Sequence, residues 1–311
     1  MTTINAKNGT YIKVYSNKNI DIFRQGVKLV LEENNASGLY GIVYDDFNPN
    51  MEIVNKWKKE YPQMKIFYVA TRGKTLCMDS KICFTKIMGT SIYTPESYLN
   101  YNEIKDENDE YSLYFVKKDG STGSKGVNVY YFKDLSNVNI ENCIIQKSMK
   151  NPDLYENKRY KIRVHVILHN KEVYYCKNHF ATVSGINYNI DTNKDLRNIN
   201  VIHQTENTLF ILSQLIDGYE LIEKNIILAI QDFKKYYLKE IENINKEEFV
   251  ILGLDFVVDS KKNVHIIEIN HRSNYAHPDE ISKKTDVLCI KDLIKLLINK
   301  SYDSTDFIII S

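Results

Sequence analysis

The sequence has no apolar run approaching the roughly 20 residues that a membrane span needs. Its first residues, MTTINAKNGTYIKVY, lack the apolar stretch of a secretory leader. Residues 307–310 are apolar but far too few to anchor, and they read as a final strand. Cysteine is scarce and unpaired. Cys77, Cys83, Cys143, Cys176 and Cys289 are odd in number and widely spaced, and no C-x-x-C occurs. That excludes a structural zinc site by spacing and predicts buried, reduced thiols in a cytoplasmic protein. The seven histidines are scattered, with no H-E-x-x-H. Charge of one sign is also lacking: 41 basic residues face 40 acidic ones. No global field favours nucleic acid or a membrane surface, so neither is an expected partner. There is no internal repeat and no low-complexity tract. The 23 tyrosines are spread along the chain as strand and surface filler.

What is present is ample material for a core: 311 residues, 43% of them hydrophobic. Residues 1–65 alternate as a small α/β unit, with strands at 11–15 and 39–44, a helix over 21–33 capped by Asn19 or Asp21, and a helix over 51–61. The unit has no glycine-rich phosphate loop. A strand at 65–70, a helix around 80–88 and a turn-rich acidic link over 102–110 follow. Strands are then expected at 112–117, 127–132, 143–147, 162–168 and 173–177. Two long helices are expected over 207–245, strands at 250–258 and 264–269, and a helix over 287–299. Strands, then helices, then a hairpin predict α+β layers, not a doubly wound parallel sheet. The expected units are 1–65, 66–142 and 143–311.

The segment GLDFVVDSKKNVHIIEIN (253–270) reads as two apolar strands around a polar turn. A turn centred between Lys261 and Lys262 sets Asp255 opposite Glu268, Gly253 opposite Asn270 and Val257 opposite Ile266. Leu254 then pairs with Ile269, Phe256 with Ile267 and Val258 with His265 on the core face. Two carboxylates at about 4 Å repel by roughly 1 kcal/mol in water, and more where water is excluded. A hard divalent cation such as magnesium would resolve this, since it takes carboxylate oxygens and leaves positions for phosphate. Asn270 would add a neutral oxygen. A solvated edge carrying chance acids is the alternative.

Two further segments point to anions. YFVKKDGSTGSKGVNVYYF (114–132) is strand, loop, strand, with Gly120, Gly123 and Gly126 among Ser121, Thr122 and Ser124, bracketed by Lys117 and Lys125. Such a loop can fold backbone N–H groups over phosphates. Its spacing is neither the Walker form nor a helix-opening G-x-G-x-x-G, and a solvated hairpin would read alike. RYKIRVHVIL (159–168) alternates strictly. Ile162, Val164, Val166 and Leu168 form one face, and Arg159, Lys161, Arg163 and His165 the other. Three cations on one strand face repel unless an anion lies among them, and arginine's planar fork suits phosphate or carboxylate.

Together these segments resemble the tubulin–tyrosine ligase family of ATP-grasp enzymes over roughly residues 66–275. RGKTLC with Lys81 following and YTPESYL (93–99) resemble the start of its nucleotide domain. YFVKKDGSTGSKGV resembles its W-I-V-K-P…G-R-G-I loop, IIQKSMKNPDL (144–154) its V-I-Q-K-Y…P-L-L segment, and RYKIRVHVIL its K-F-D-I-R strand. ILGLDFVVD…IIEIN resembles G-F-D-F…D followed by L-I-E-V-N. The resemblance implies an ATP-grasp fold, two α/β subdomains clasping ATP, preceded by the small α/β unit. It implies that Lys81 and Lys117 contact ATP phosphates and that Gly126 ends the glycine loop. Gln146, Lys147 and Met149 would lie around adenine. Arg163 with Arg159 would hold the transferred phosphoryl group, and Asp255, Glu268 and Asn270 would bind magnesium.

The implied reaction is ATP-dependent ligation of a free amino acid to a protein or peptide carboxylate, such as an acidic tubulin tail, through an acyl phosphate. This chain departs from the pattern at Ser124, Lys118 and Lys161, where the family has a glycine, a proline and an acid. The family's later amino-acid-contacting arginine has no counterpart, with Lys177 or His179 as substitutes. Two other readings stand beside this one. The first is an ATP-grasp ligase for a small molecule or non-tubulin peptide. The second is a non-catalytic nucleotide-binding interaction protein.

Overall fold

The computed structural model describes residues 2–5, 9–17, 20–33, 38–45, 48–105, 109–121, 125–188, 201–202, 208–271, 279–298 and 307–310. Its first part alternates as expected: β1 (Thr2–Asn5), β2 (Thr10–Ser16), α1 (Ile20–Glu33), β3 (Gly38–Tyr44), α2 (Met51–Glu60) and β4 (Lys65–Val69). Helix α1 buries Ile22, Phe23, Gly26, Val27 and Val30, a stripe at helical spacing. Asp21 sits in its first turn, while Asn19 lies outside the described residues. Asn50 caps α2 by accepting the Ile53 N–H.

Short helices α3 (Leu76–Asp79) and α4 (Lys81–Met88) lead to β5 (Ser97–Tyr98), β6 (Leu113–Lys118), β7 (Val127–Tyr131) and β8 (Cys143–Lys147). Then come β9 (Leu154–Tyr155), β10 (Lys158–His169), β11 (Glu172–Cys176), β12 (Phe180–Asn187), β13 (Leu209–Leu212), α5 (Tyr219–Tyr236) and α6 (Leu238–Glu242). The chain closes with β14 (Glu248–Val258), β15 (Val264–His271), α7 (Glu280–Ile298) and β16 (Phe307–Ile310). The two long helices expected over 207–245 are thus one long helix, a short one and a strand. Leu209–Leu212 pairs with β12 and buries Phe210 and Ile211. Gly218, at φ 71°, separates that strand from α5.

The elements form two sheets. The large one runs β1-β2-β3-β4-β14-β10-β11-β16, with β12, β13, β15 and β9 branching from that path. β2, β3 and β4 are parallel, and β4 continues in parallel onto β14 through Tyr68 and Val69. From β14 onward the pairing is antiparallel. This mixture is an α+β arrangement. The smaller sheet has the order β5-β8-β6-β7, so Cys143–Lys147 belongs with the strands that precede it.

Strand β10 is the pivot of the large sheet. Ile162, Val164, Val166 and Leu168 are fully buried in one core with Ile222, Ile226, Ala229, Ile230 and Phe233 of α5. Each such side chain contributes about 1.5–3 kcal/mol of burial. Ile167, on the opposite face, packs in a second core with α1 and α7. There a Cβ on Gly26 would stand 2.7 Å from Ile290 Cγ2, so glycine is what lets α1 approach α7. The expected basic face of β10 is therefore mostly buried, with Lys161 and Arg163 only partly exposed. It starts at a cleft and ends at His165, whose Nε2 lies 3.5 Å from Asp286 Oδ1 beneath α7.

The β14–β15 hairpin keeps the expected register at its acidic end and loses it near the turn. Asp255 faces Glu268, Gly253 faces Asn270 and Leu254 faces Ile269. Beyond them Phe256 faces Ile266, Val257 faces His265 and Val258 faces Val264. The turn is one residue shorter on one side than expected. Lys262 takes φ 66°, and Asp259 accepts the Lys261 and Asn263 N–H groups. A bulge at Ile267 compensates, so the slip never reaches the acids.

Candidate functional site

A cleft of about 910 Å³, including its open mouth, lies between the two sheets. The small sheet supplies Phe115, Lys117, Val127, Gln146 and Lys147. The large sheet supplies Arg159, Tyr160, Lys161, Val257, Val258, Ile267 and Glu268. Lys81 enters from α4, Ser121 from the glycine loop, and Met149, Pro152, Val201 and Ile202 from connecting segments. Among the described residues, five cations and one carboxylate therefore face one space: Lys81, Lys117, Lys147, Arg159 and Lys161 against Glu268.

Lys81 stands at the start of α4, where Ser80 caps the helix by accepting the Cys83 N–H. Asp119 accepts from both Ser80 Oγ (2.9 Å) and the Lys81 N–H (2.7 Å), pinning the glycine loop to that helix end. Lys81 Nζ then donates to Ser121 O at 2.9 Å and pairs with Glu268 Oε1 at 3.1 Å. Gly126 is beside the wall. A Cβ there would stand 2.5 Å from Ser121 Cβ and 3.0 Å from Lys118 Cβ. Residues 122–124, the middle of the glycine loop, lie outside the described residues.

Lys117 is buried, donating to Gln146 Oε1 at 2.6 Å and reaching Ile267 O at 3.5 Å. Burial, reinforced by Lys81 and Lys161, lowers its pKa to about 8, against the pull of Glu268 and Asp255. Gln146 in turn donates to Ser97 Oγ at 3.0 Å. Its side-chain amide is thus held by Lys117 at the oxygen and by Ser97 at the nitrogen. Lys147 Nζ lies 3.7 Å from Glu96 Oε2, and Met149 also lines the cleft. Arg159 is buried with its guanidinium 5.2 Å from the centre of the Tyr188 ring, and burial lowers its pKa.

The three residues expected as metal ligands differ in their surroundings. Glu268 is in the cleft wall, with its side chain 29% exposed. Asp255 is 1% exposed and outside the wall. Its carboxylate accepts from Arg163 Nε, from Arg163 Nη2 at 3.2 Å and from Lys161 Nζ at 3.0 Å. Burial works to raise its pKa, yet these two cations hold it well below the ordinary carboxylate range. Asn270 Nδ2 lies 3.4 Å from Gly253 O. Among the described residues no group of three or more His, Cys, Asp and Glu side chains is arranged around a metal position.

Sequence reasoning missed Asp119, Ser97 and the apolar wall. Phe115 was legible, because it alternates with Lys117 on the same strand face, and so was Val257, two residues from Asp255. Val201 and Ile202 carry no local signal. His179, considered as a substitute for the absent arginine, is a core residue. Its ring nitrogens meet the hydroxyls of Tyr175 and Tyr219, and burial lowers its pKa to about 3. No helix among the described residues is long and apolar enough to cross a membrane.

The family model described as the tubulin-tyrosine ligase family matches residues 47–305, most of the chain. No curated protein matches it.

Proposed function

Because the chain belongs to the tubulin-tyrosine ligase family, and so to the ATP-grasp superfamily, whose ligases use ATP, we propose that the cleft binds ATP and serves carboxylate–amine ligation. The observation that carries this reading is the charge of the cleft. Among the described residues, Lys81, Lys117, Lys147, Arg159 and Lys161 face one carboxylate, Glu268, across the cleft. Cations repel one another where water is scarce, so the arrangement suits a polyanion. A triphosphate supplies that charge, and Phe115, Val127, Val257 and Ile267 supply apolar walls for a base.

In this reading Lys81, Lys117 and the loop ending at Gly126 hold the phosphates. Gln146, Lys147 and Met149 border the base, and Arg159 and Arg163 stand toward the transferred phosphoryl group. The two sheets act as the two walls of an ATP-grasp clasp, and because β8 pairs with β5 and β6 the division between subdomains falls after Lys147 instead of at 142/143, with the N-terminal α/β unit before it. The donor set at the hairpin end fits a hard cation through Glu268, which has carboxylate oxygens on the cleft side. Asp255 and Asn270 flank it. Magnesium, when bound, would neutralise phosphate charge there.

Phosphoryl transfer to an acceptor carboxylate would give an acyl phosphate, and an amino acid's amine would displace inorganic phosphate to form the amide. The protein's part is positioning and charge neutralisation. The acceptor class is a protein or peptide carboxylate such as an acidic tubulin tail, and the setting is the cytoplasm. The test is incubation with Mg-ATP, single labelled amino acids and tubulin or acidic peptides, following phosphate release and incorporation. Turnover on free dipeptide-sized acceptors alone would redirect the reading to a small-molecule ligase. Absence of magnesium-dependent ATP binding by calorimetry would sink it.

A further inference from the structure

The two acids at the hairpin end have unequal access to a cation. Asp255 has three N–H donors on its carboxylate, from Lys161 and Arg163, and almost no solvent exposure. A carboxylate offers about four lone-pair positions, so most are already filled. A divalent ion entering there would also lie beside two fixed positive charges. Magnesium prefers to keep several waters, for which a side chain 1% exposed leaves no room. Glu268 differs on each count. It faces the cleft, is 29% exposed and meets the ammonium of Lys81. Lys81 Nζ already has a second acceptor in Ser121 O, so it can release Glu268 without being stranded.

Lys161 connects the two environments. It lines the cleft, its side chain is 19% exposed, and its Nζ lies 3.0 Å from Asp255 Oδ2. An ammonium carries three donors, of which Asp255 takes one. We propose that this site takes a single divalent cation, on Glu268, and that the Lys161 ammonium fills the second cationic position, against Asp255. Lys161 is then a phosphate-positioning residue, and Asp255 is the anchor that aims Lys161 and Arg163. This rests on the nucleotide reading above and specifies its metal count.

The test uses the full chain saturated with AMP-PNP, a non-hydrolysable ATP analogue. Bound Mn²⁺ is counted from the electron paramagnetic resonance signal of the free ion, and AMP-PNP binding is followed by calorimetry. The wild-type chain binds a single Mn²⁺ in the ternary complex. Lys161→Arg, which keeps the cation, also binds one. Lys161→Met opens Asp255 and gains a second. Glu268→Gln weakens Mn²⁺ binding by about tenfold or more. Two Mn²⁺ on the wild-type chain overturn the inference, as does a folded, AMP-PNP-binding Lys161→Met chain that still holds one. If Lys161→Met does not fold, Lys161→Gln decides in the same way. Two Mn²⁺ with AMP-PNP bound leave the nucleotide reading standing. No AMP-PNP binding with any metal overturns both.

Discussion

Arg163 and Asp255 face each other in the register of β10 and β14, and the Arg163 guanidinium grips the Asp255 carboxylate through Nε and Nη2. Lys161 completes the cluster from the same face of β10. Removing the shared carboxylate strips a partner from both cations, and breaking such a buried pair costs about 3–5 kcal/mol. Asp255→Ala is therefore expected to lower unfolding stability by about that amount in urea titration. A loss under about 1 kcal/mol would mean that the pair contributes little.

The same pair gives a pH dependence with a definite sign. The Asp255 carboxyl is held below its ordinary value in the folded chain. Its stabilisation is fully present above the unfolded pKa near 3.9 and is lost as pH falls through the folded value. The stability difference between wild type and Asp255→Asn is thus expected to hold between pH 5 and 7 and to shrink below about pH 4. Paired urea titrations across that range check it.

Lys117 sets a second pH window, on the alkaline side. Its folded pKa of about 8 is lower than the ordinary lysine value. Between about 8 and 10.4 the unfolded chain holds a proton that the folded one has released, so this residue makes stability rise with pH there. Anion binding requires the charged form and raises the pKa. ATP binding is accordingly expected to take up protons near pH 8–9 and to weaken above it. Calorimetry in buffers of different ionisation heat measures the uptake, and Lys117→Met should abolish it.

Glu268→Gln removes a carboxylate from the cleft wall while keeping its size. With 29% of the side chain exposed, the fold should survive, as read by circular dichroism and thermal melting. Ligase turnover is expected to fall on the order of a hundredfold or more. Unimpaired turnover would remove Glu268 from the proposed metal end.

Gly126→Ala tests the loop without touching a charge. The added methyl would collide with Ser121, whose carbonyl receives Lys81 Nζ. The loop must shift and Lys81 with it. Nucleotide affinity is expected to drop by about tenfold, with stability changed by under about 1 kcal/mol. Unchanged affinity would show that Gly126 is dispensable to phosphate binding.

Periodicity in the sequence carried the local elements. The alternation of Ile162, Val164, Val166 and Leu168 against Arg159, Lys161 and Arg163 defined the two faces of β10, because side chains on a strand point alternately. The acidic hairpin was legible for the same reason, as far as the bulge. Its turn was not, because lysine gives no cue that Lys262 adopts a left-handed backbone. The helices expected over 207–245 misled because LFIL suits either state until a partner strand is available, and β12 is that partner.

The site shows the same division. The residue types, lysines around a glycine loop, a basic strand and paired acids, were in the sequence, and with them the expectation of phosphate and a hard cation. Only the tertiary structure brought β14 beside β10, and so put the Asp255 carboxylate between Arg163 and Lys161. Hairpin pairing is set by the few residues of a turn and can be read locally. The β10–β14 pairing joins segments some 90 residues apart, and no local pattern encodes it. The acids were legible one by one, but the tertiary fold decided that Asp255 holds the basic strand while Glu268 faces the cleft.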